Sequence, residues 1–345
     1  MTPPTPSLRP HRMTVTAAML DRARSSVTPF SDAIAAARTA AGDDAIVVAW
    51  LGDLHLNAPR PYAALSQSYC DWVDTSANLQ LALAELGALE PKPDLVVFGG
   101  DLAESGCAHE APADEYEEMG RILQAHYPAG LDSIAILGNH DHADKPLTAG
   151  WHKVFAENAL PAWPLSVEQD DFYYATQRGG WRFIGLDSRQ GQPLSARQRA
   201  WLAAQFAADD QTPTVIVVHR PIVSCGNWVD DFRLQDRATF DVLDGASSVR
   251  AVMSGHSHHT AGWTYRGKTH LILPSVAYGI PDPVGWAVVV LSPSGVQAVF
   301  TKSLAVDAYH DLVSDTMCES TPSWQQLELP DFERHMLFNV CSLPR

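Results

Sequence analysis

Basic residues are scarce in this chain, and so are cysteines and long apolar runs. Lys and Arg number 24 against 40 Asp and Glu, a formal net charge of −16. A field of that sign repels a polyanionic duplex, so nucleic acid is not an expected partner unless a local basic or metal patch overrides it. The five cysteines (Cys70, Cys107, Cys225, Cys318, Cys341) are odd in number, widely spaced and without a CxxC pair. That pattern fits reduced thiols better than a disulfide framework. No segment has the apolar length of a transmembrane helix, so no membrane association is expected. The first twenty residues lack the apolar core and twin arginine of an export signal and read as a mobile arm. A cytoplasmic location is expected.

What the chain does have is 46% hydrophobic and 19% charged residues over 345 positions, the profile of an ordinary globular protein. Its strongest internal pattern is a short β-branched run followed by Gly with Asp, Asn or His. Ala45–Leu51 leads to Gly52-Asp53-Leu54-His55, and Asp94–Phe98 leads to Gly99-Gly100-Asp101. Ser133–Leu137 leads to Gly138-Asn139-His140-Asp141, and Thr214–Val218 to His219-Arg220-Pro221. Val249–Ser254 leads to Gly255-His256-Ser257-His258. Such continuous apolar runs predict strands buried on both faces.

Helical patterns lie between them at Asp74–Glu90, Asp114–His126 and Ser195–Ala208, the last with Ser195 as N-cap. Further strands are predicted at Trp181–Leu186, His270–Leu273, Trp286–Leu291 and Val296–Phe300. The last two flank Ser292-Pro293-Ser294-Gly295 and form a hairpin. The alternation predicts an α/β fold. Residues 1–44 are read as an arm and lead-in helix, 45–300 as the domain, and 301–345 as an extension that packs or serves as a dimer arm, which leaves a homodimer open.

Ligands in open α/β sheets gather beyond the carboxyl ends of strands, where all five polar clusters fall. Carboxylate, imidazole and amide oxygen together suit Mn²⁺, Fe²⁺ or Zn²⁺. Without cysteine ligands a purely structural zinc site is disfavoured. Asp-x-His and His-x-His let alternate side chains project to one side, as chelation needs.

The series Asp53-x-His55, Gly100-Asp101, Gly138-Asn139-His140-Asp141, His219 and Gly255-His256-x-His258 resembles the signature of calcineurin-like metallophosphoesterases. The resemblance spans roughly residues 45–300 with all blocks in order, and is nearest to the class III cyclic-nucleotide phosphodiesterases. It implies a four-layer α/β/β/α sandwich with mixed sheets and the metal site at the strand C-terminal ends. It also implies two divalent metal ions and hydrolysis of a small phosphoester by a hydroxide bridging them. By position, Asp53, His55, Asp101 and His258 would hold one ion, and Asp101, Asn139, His219 and His256 the other. Asp101 would bridge. His140, next to the ligand Asn139, would assist the leaving oxygen instead of binding metal. Asp141 would orient His140 or, the favoured reading, hold the loop.

Several residues have plainer readings. His109, His142, His259 and His270 have no motif position and are expected at the surface or in the core. Asp187 is expected to bond locally, and Cys107 and Cys225 to be structural. Trp228 is either a core anchor or a substrate contact that stacks on a base or covers the site. A protein phosphatase would carry an arginine soon after Asp101, and a purple acid phosphatase a tyrosine at position 104; Leu102-Ala103-Glu104 has neither. The alternatives of the same fold are a phosphomonoesterase, a nucleotide pyrophosphatase or a scaffold that has lost its metals.

Overall fold

The apolar run ending at Leu51 is buried along its whole length, and its side chains divide between two cores. In the computed structural model Val47, Ala49 and Leu51 of β1 (Ile46–Leu51) pack towards helices, while Ile46, Val48 and Trp50 pack towards a second sheet. This division explains why the run is continuously apolar instead of alternating. The structure describes residues 14–56, 74–104, 113–141, 172–189, 193–222, 234, 236–277, 283–304 and 324–329.

Two helices precede β1, α1 (Ala17–Ser25) and α2 (Thr28–Ala41). Only one lead-in helix was expected there. Phe30 and Ile34 of α2 enter the first core, and Thr16 caps α1. After β1 come α3 (Thr75–Ala88), β2 (Leu95–Gly99), α4 (Ala113–His126) and β3 (Ser133–Ile136). β4 (Tyr174–Arg178), β5 (Trp181–Leu186), α5 (Ala196–Ala208), β6 (Thr214–Val218), α6 (Arg237–Gly245) and β7 (Val249–Ser254) follow. The chain then forms β8 (Ala261–Tyr265), β9 (Lys268–Ile272), β10 (Gly285–Ser292), β11 (Gly295–Ser303) and β12 (Trp324–Gln326). Capping side chains fix where several helices start. Asp74 accepts from the Ala77 N–H at 3.0 Å, Ser195 from Gln198 at 3.1 Å and Asp236 from Thr239 at 3.0 Å.

One sheet has the order β12-β11-β10-β1-β2-β3 and the other β4-β5-β6-β7-β9-β8. Both are mixed. β1, β2 and β3 run parallel, as do β5, β6, β7 and β9, whereas β10 pairs antiparallel with β1 and β11. Helices α2, α3 and α4 cover the outer face of the first sheet and α5 and α6 that of the second, completing the α/β/β/α sandwich. β11 runs past residue 300, and β12 adds an edge strand to the same sheet. Trp324 there meets Phe30 and Phe300 at ring centroid distances of 6.2 and 5.8 Å, so this part of the extension packs on the domain. No helix among the described residues is long and apolar enough to cross a membrane.

Candidate metal centre

The loops leaving β1 and β2 remain paired beyond the strands. Asp53 N–H donates to Gly100 O at 2.9 Å, His55 N–H to Asp101 O at 2.8 Å, and Leu56 N–H to Leu102 O at 3.0 Å. To turn their side chains inward, these loops adopt an uncommon backbone. Asp53, His55, Asp101, His256 and His258 have φ of 51°, 44°, 48°, 71° and 53°, the left-handed region. Each such residue costs about 1–2 kcal/mol. Among the described non-glycine residues only Arg266, in the β8–β9 turn, shares this trait without belonging to the cluster. Strain concentrated at chemistry-bearing side chains is the mark of a functional site.

Those side chains converge from both sheets. Three overlapping sets have metal-ligating atoms within 4.8 Å of one another: Asp53 with His55 and His258, His55 with Asp101 and His140, and Asp101 with His219 and His256. The sets join through His55 and Asp101 into one continuous cluster. His256 N–H donates to Asp53 Oδ1 at 3.0 Å, tying the β7 loop to the β1 loop. The tail of the β9 strand closes the floor, with Ser275 Oγ donating to Asp53 O at 3.1 Å. Asn139 opens a short 3-10 turn (Asn139–Asp141); its amide oxygen is buried, and the next N–H, of His140, donates to Asp101 Oδ1 at 2.8 Å.

The donor set fits divalent cations. His219 Nδ1–H donates to Gly99 O at 2.9 Å, which leaves the Nε2 lone pair of the neutral ring facing inward. That Nε2 is buried, 3.2 Å from Asp101 Oδ2, and has no hydrogen-bond partner among the described residues. His55 Nδ1 is held by Glu104 Oε2 at 2.6 Å, so its Nε2 also turns inward, 3.1 Å from His258 Nε2. Two imidazole lone pairs that close repel unless a proton or a cation lies between them. The electrostatics agree. Burial opposes charge on His219, yet the Asp101 and Asp53 carboxylates push its pKa up to about 9, so without metal a proton supplies positive charge there. Metal binding has to release that proton.

Each residue predicted for the site and lying within the described residues reaches this region. Trp228, His109, His142, Cys107 and Cys225 lie outside the described residues. His270 is in the core, and His259 is half-buried beside the last histidine pair. Asp187 is engaged by Arg189 at 2.8 and 2.9 Å, a local bond. Asp141 accepts from the N–H groups of Leu102, Ala103 and Gly138 and from Tyr116 Oη, all at 2.8–3.0 Å for the shorter bonds. It clamps the Asp101 loop to the Asn139 loop, which is the loop-holding role.

Two functional residues escaped the sequence reading. Glu104 bonds His55 and stands 3.3 Å from His140 Nδ1, whose ring also donates to the Glu104 carbonyl at 2.8 Å. Burial would raise the Glu104 carboxyl, but hydrogen bonds from His140 and His55 hold it far below the carboxylate range. Arg220, following His219, donates from Nη1 to His256 Nε2 at 2.6 Å.

Beneath the cluster lies Trp50, fully buried on β1. A Cβ at Gly52 or Gly99 would overlap its indole, and a Cβ at Gly255 would overlap Asp53 Oδ2. The motif glycines make room for a tryptophan floor and for the cluster on top of it.

A two-sheet sandwich carrying a strained Asp/His cluster at the strand ends has the donor set of a divalent-metal site. The chain matches the calcineurin-like phosphoesterase family over residues 46–260 and belongs to it. It is 31% identical to a probable cyclic nucleotide phosphodiesterase of Synechococcus sp., over 72% of this chain and 88% of that one. It is 28% identical to a 3′,5′-cyclic-nucleotide phosphodiesterase of Nostoc sp., over 68% of this chain and 79% of that one. Among solved structures, a dimetal phosphatase from Danio rerio shares the fold at a TM-score of 0.56 and 16% identity, covering 77% of this chain and 97% of that chain.

Proposed function

We propose that the chain hydrolyses small phosphodiesters, cyclic nucleotides foremost, with two divalent cations of Mn, Fe or Zn. The observation that carries the reading is the sharing of Asp101 between the His55 side and the His219–His256 side of the cluster. Asp101 Oδ2 lies 3.2 Å from His219 Nε2 and 3.6 Å from His55 Nε2, so this one oxygen faces both sides, and a pair of ions would be held by Asp53, His55 and His258 on one side and Asn139, His219 and His256 on the other. Such ions neutralise charge on the phosphoryl oxygens and acidify a coordinated water.

The chain's own residues supply the rest. Asp53, His55, Asp101 and His219 have side chains no more than 2% exposed, whereas His140 is 21% exposed. His140, like Asn139 and His256, is half-buried and so open to a substrate. Its ring is held at Nδ1 by the Glu104 carbonyl, and as the doubly protonated imidazolium it gives the Nε2 proton to the departing oxygen, where negative charge develops, and is left neutral. Asn139 lies beside it and contributes its amide to the same substrate oxygens. The similarity to cyclic nucleotide phosphodiesterases supports the substrate class.

The test is kcat/KM for a cyclic nucleotide and a bis-aryl phosphate against the matching monoesters, with each metal in turn. A diester preference is expected, and a monoester preference with every metal would favour the phosphatase alternative. Asp101→Ala should abolish turnover and bring bound metal below two per chain; two full equivalents in the inactive variant would end the bridging assignment.

A further inference from the structure

A cavity lies at the same end of the sandwich as the Asp/His cluster, on the side of β8–β12. β9 runs parallel to β7 with Ile272 paired to Ser254, so Pro274 comes level with the loop that holds His256. β10 starts beside the end of β1, where Trp50 pairs with Ala287. Gly285 at that start pairs with Ser303, and Lys302 pairs with Trp324 at the start of β12. These strand ends border a volume of about 210 Å³, whose lining includes Thr260, Pro274, Pro283, Thr301, Trp324 and Gln325. Its wall is tied to the cluster. Ser275, next to Pro274, donates from Oγ to Asp53 O at 3.1 Å and accepts from the Gly285 N–H at 2.9 Å. Thr260 comes two residues after His258.

The chemistry of the lining limits what can enter. Lys302 is the one charged residue on it, and its ammonium is already bonded to Glu85 Oε1 at 3.3 Å and Ser303 O at 2.8 Å. A second phosphate would therefore be stripped of water without a counter-charge. Trp324 is the one large apolar side chain exposed among the described residues, and its indole joins two prolines in the lining. Gln325, also exposed, brings an amide that both donates and accepts. Pockets that hold a whole drug-sized ligand measure about 300–1,000 Å³. This smaller volume takes one part of a molecule, and that part is flat, uncharged and polar at its edge.

We propose that the cavity takes the nucleobase of the substrate while the phosphodiester lies at the cluster, with Trp324 against the face of the base and Gln325 at its edge. This rests on the phosphodiester reading above and narrows it to nucleotides. Every base has a π-face, so an indole platform accepts the class as a whole. The segment after residue 300 is then part of the binding site as well as of the packing.

Steady-state kinetics of the full chain on adenosine 3′,5′-cyclic phosphate, and on the same cyclic ribose phosphate without a base, test the proposal. In the unaltered chain kcat/KM should be roughly 10- to 100-fold higher for the nucleotide, with the difference in KM. Trp324→Leu keeps an apolar side chain against Phe30 and Phe300 but removes the flat face, and should erase most of that ratio. Gln325→Ala leaves the indole in place and should reduce the ratio by about 5-fold. Equal kcat/KM for the two esters in the unaltered chain overturns the base site. So does a ratio preserved in both variants, even where activity on both esters falls alike, since that is the mark of a structural role. No turnover of either ester with Mn, Fe or Zn would overturn the phosphodiester reading and the base site with it, a result distinct from the others.

Discussion

Glu104 Oε2 lies 2.6 Å from His55 Nδ1, and this contact fixes which nitrogen of His55 faces the cluster. A carboxylate behind a ligating imidazole sets its tautomer and raises its donor strength. Glu104→Gln keeps the shape and removes the charge. Metal affinity should fall roughly 10- to 100-fold, with Glu104→Asp falling less. Calorimetric titration with Mn²⁺ measures this, and equal affinities in all three proteins would show Glu104 to be a bystander.

Asp141 serves four donors from two loops and a helix, so its loss should be felt as stability before chemistry. An asparagine there turns an N–H₂ group towards donors that need an acceptor. Asp141→Asn should destabilise the metal-free protein by about 1–3 kcal/mol. Urea unfolding gives the value, and an unchanged midpoint would count against the clamp.

Lys302 and Glu85 form an ion pair at 3.3 Å with side chains 1% and 0% exposed, and Trp286 Nε1–H donates to Glu85 Oε2 at 2.8 Å. Removing one partner strands the other charge. Lys302→Met should cost about 3–5 kcal/mol. Combining it with Glu85→Gln, whose amide oxygen still accepts from Trp286, should recover part of the loss. Strict additivity in this double-mutant cycle would mean the pair is not coupled.

His270 contributes a pH dependence of its own. It stacks on Trp263 at 5.6 Å and 9° and on Phe240 at 6.2 Å and 28°, and its Nε2 has no hydrogen-bond partner among the described residues. Burial, with a smaller push from Lys268, lowers its pKa from 6.5 to about 4. The unfolded chain therefore takes up a proton first as pH falls. Stability is complete above pH 6.5 and drains away between 6.5 and 4, by roughly 3 kcal/mol in all. His270→Phe should remove that contribution, so the variant gains on the parent as pH drops from 7.5 to 5. Parallel denaturant midpoints across that range would contradict it.

Much of this was legible in the chain because strong local patterns coincided with the site. β5, β6 and β7 occur at the predicted residues, since strands buried on both faces are continuously apolar. Asp53, Asp101 and His256 could be read because each follows such a strand beside a glycine. β4 could not, because its sequence, Tyr-Ala-Thr-Gln-Arg, is that of a half-exposed sheet edge. Glu104 and Arg220 resisted for another reason. They act on His55 and His256 across sequence separations of 49 and 36 residues, and nothing local marks such a contact. The backbone strain was likewise invisible, since a glycine would have announced a left-handed residue, whereas aspartate and histidine adopt that region only occasionally.

The indole of Trp50 fills a volume that it shares with positions 52 and 99, and this couples their histories. An alanine at either glycine meets the ring, so it can be accepted only beside a smaller residue at 50. Shrinking residue 50 first opens a void worth about 3–5 kcal/mol, and adding the methyl group first forces an overlap. Both orders pass through a destabilised intermediate. Related chains should therefore carry either the tryptophan with both glycines or a smaller residue with freedom at the other two, and mixed combinations should be rare.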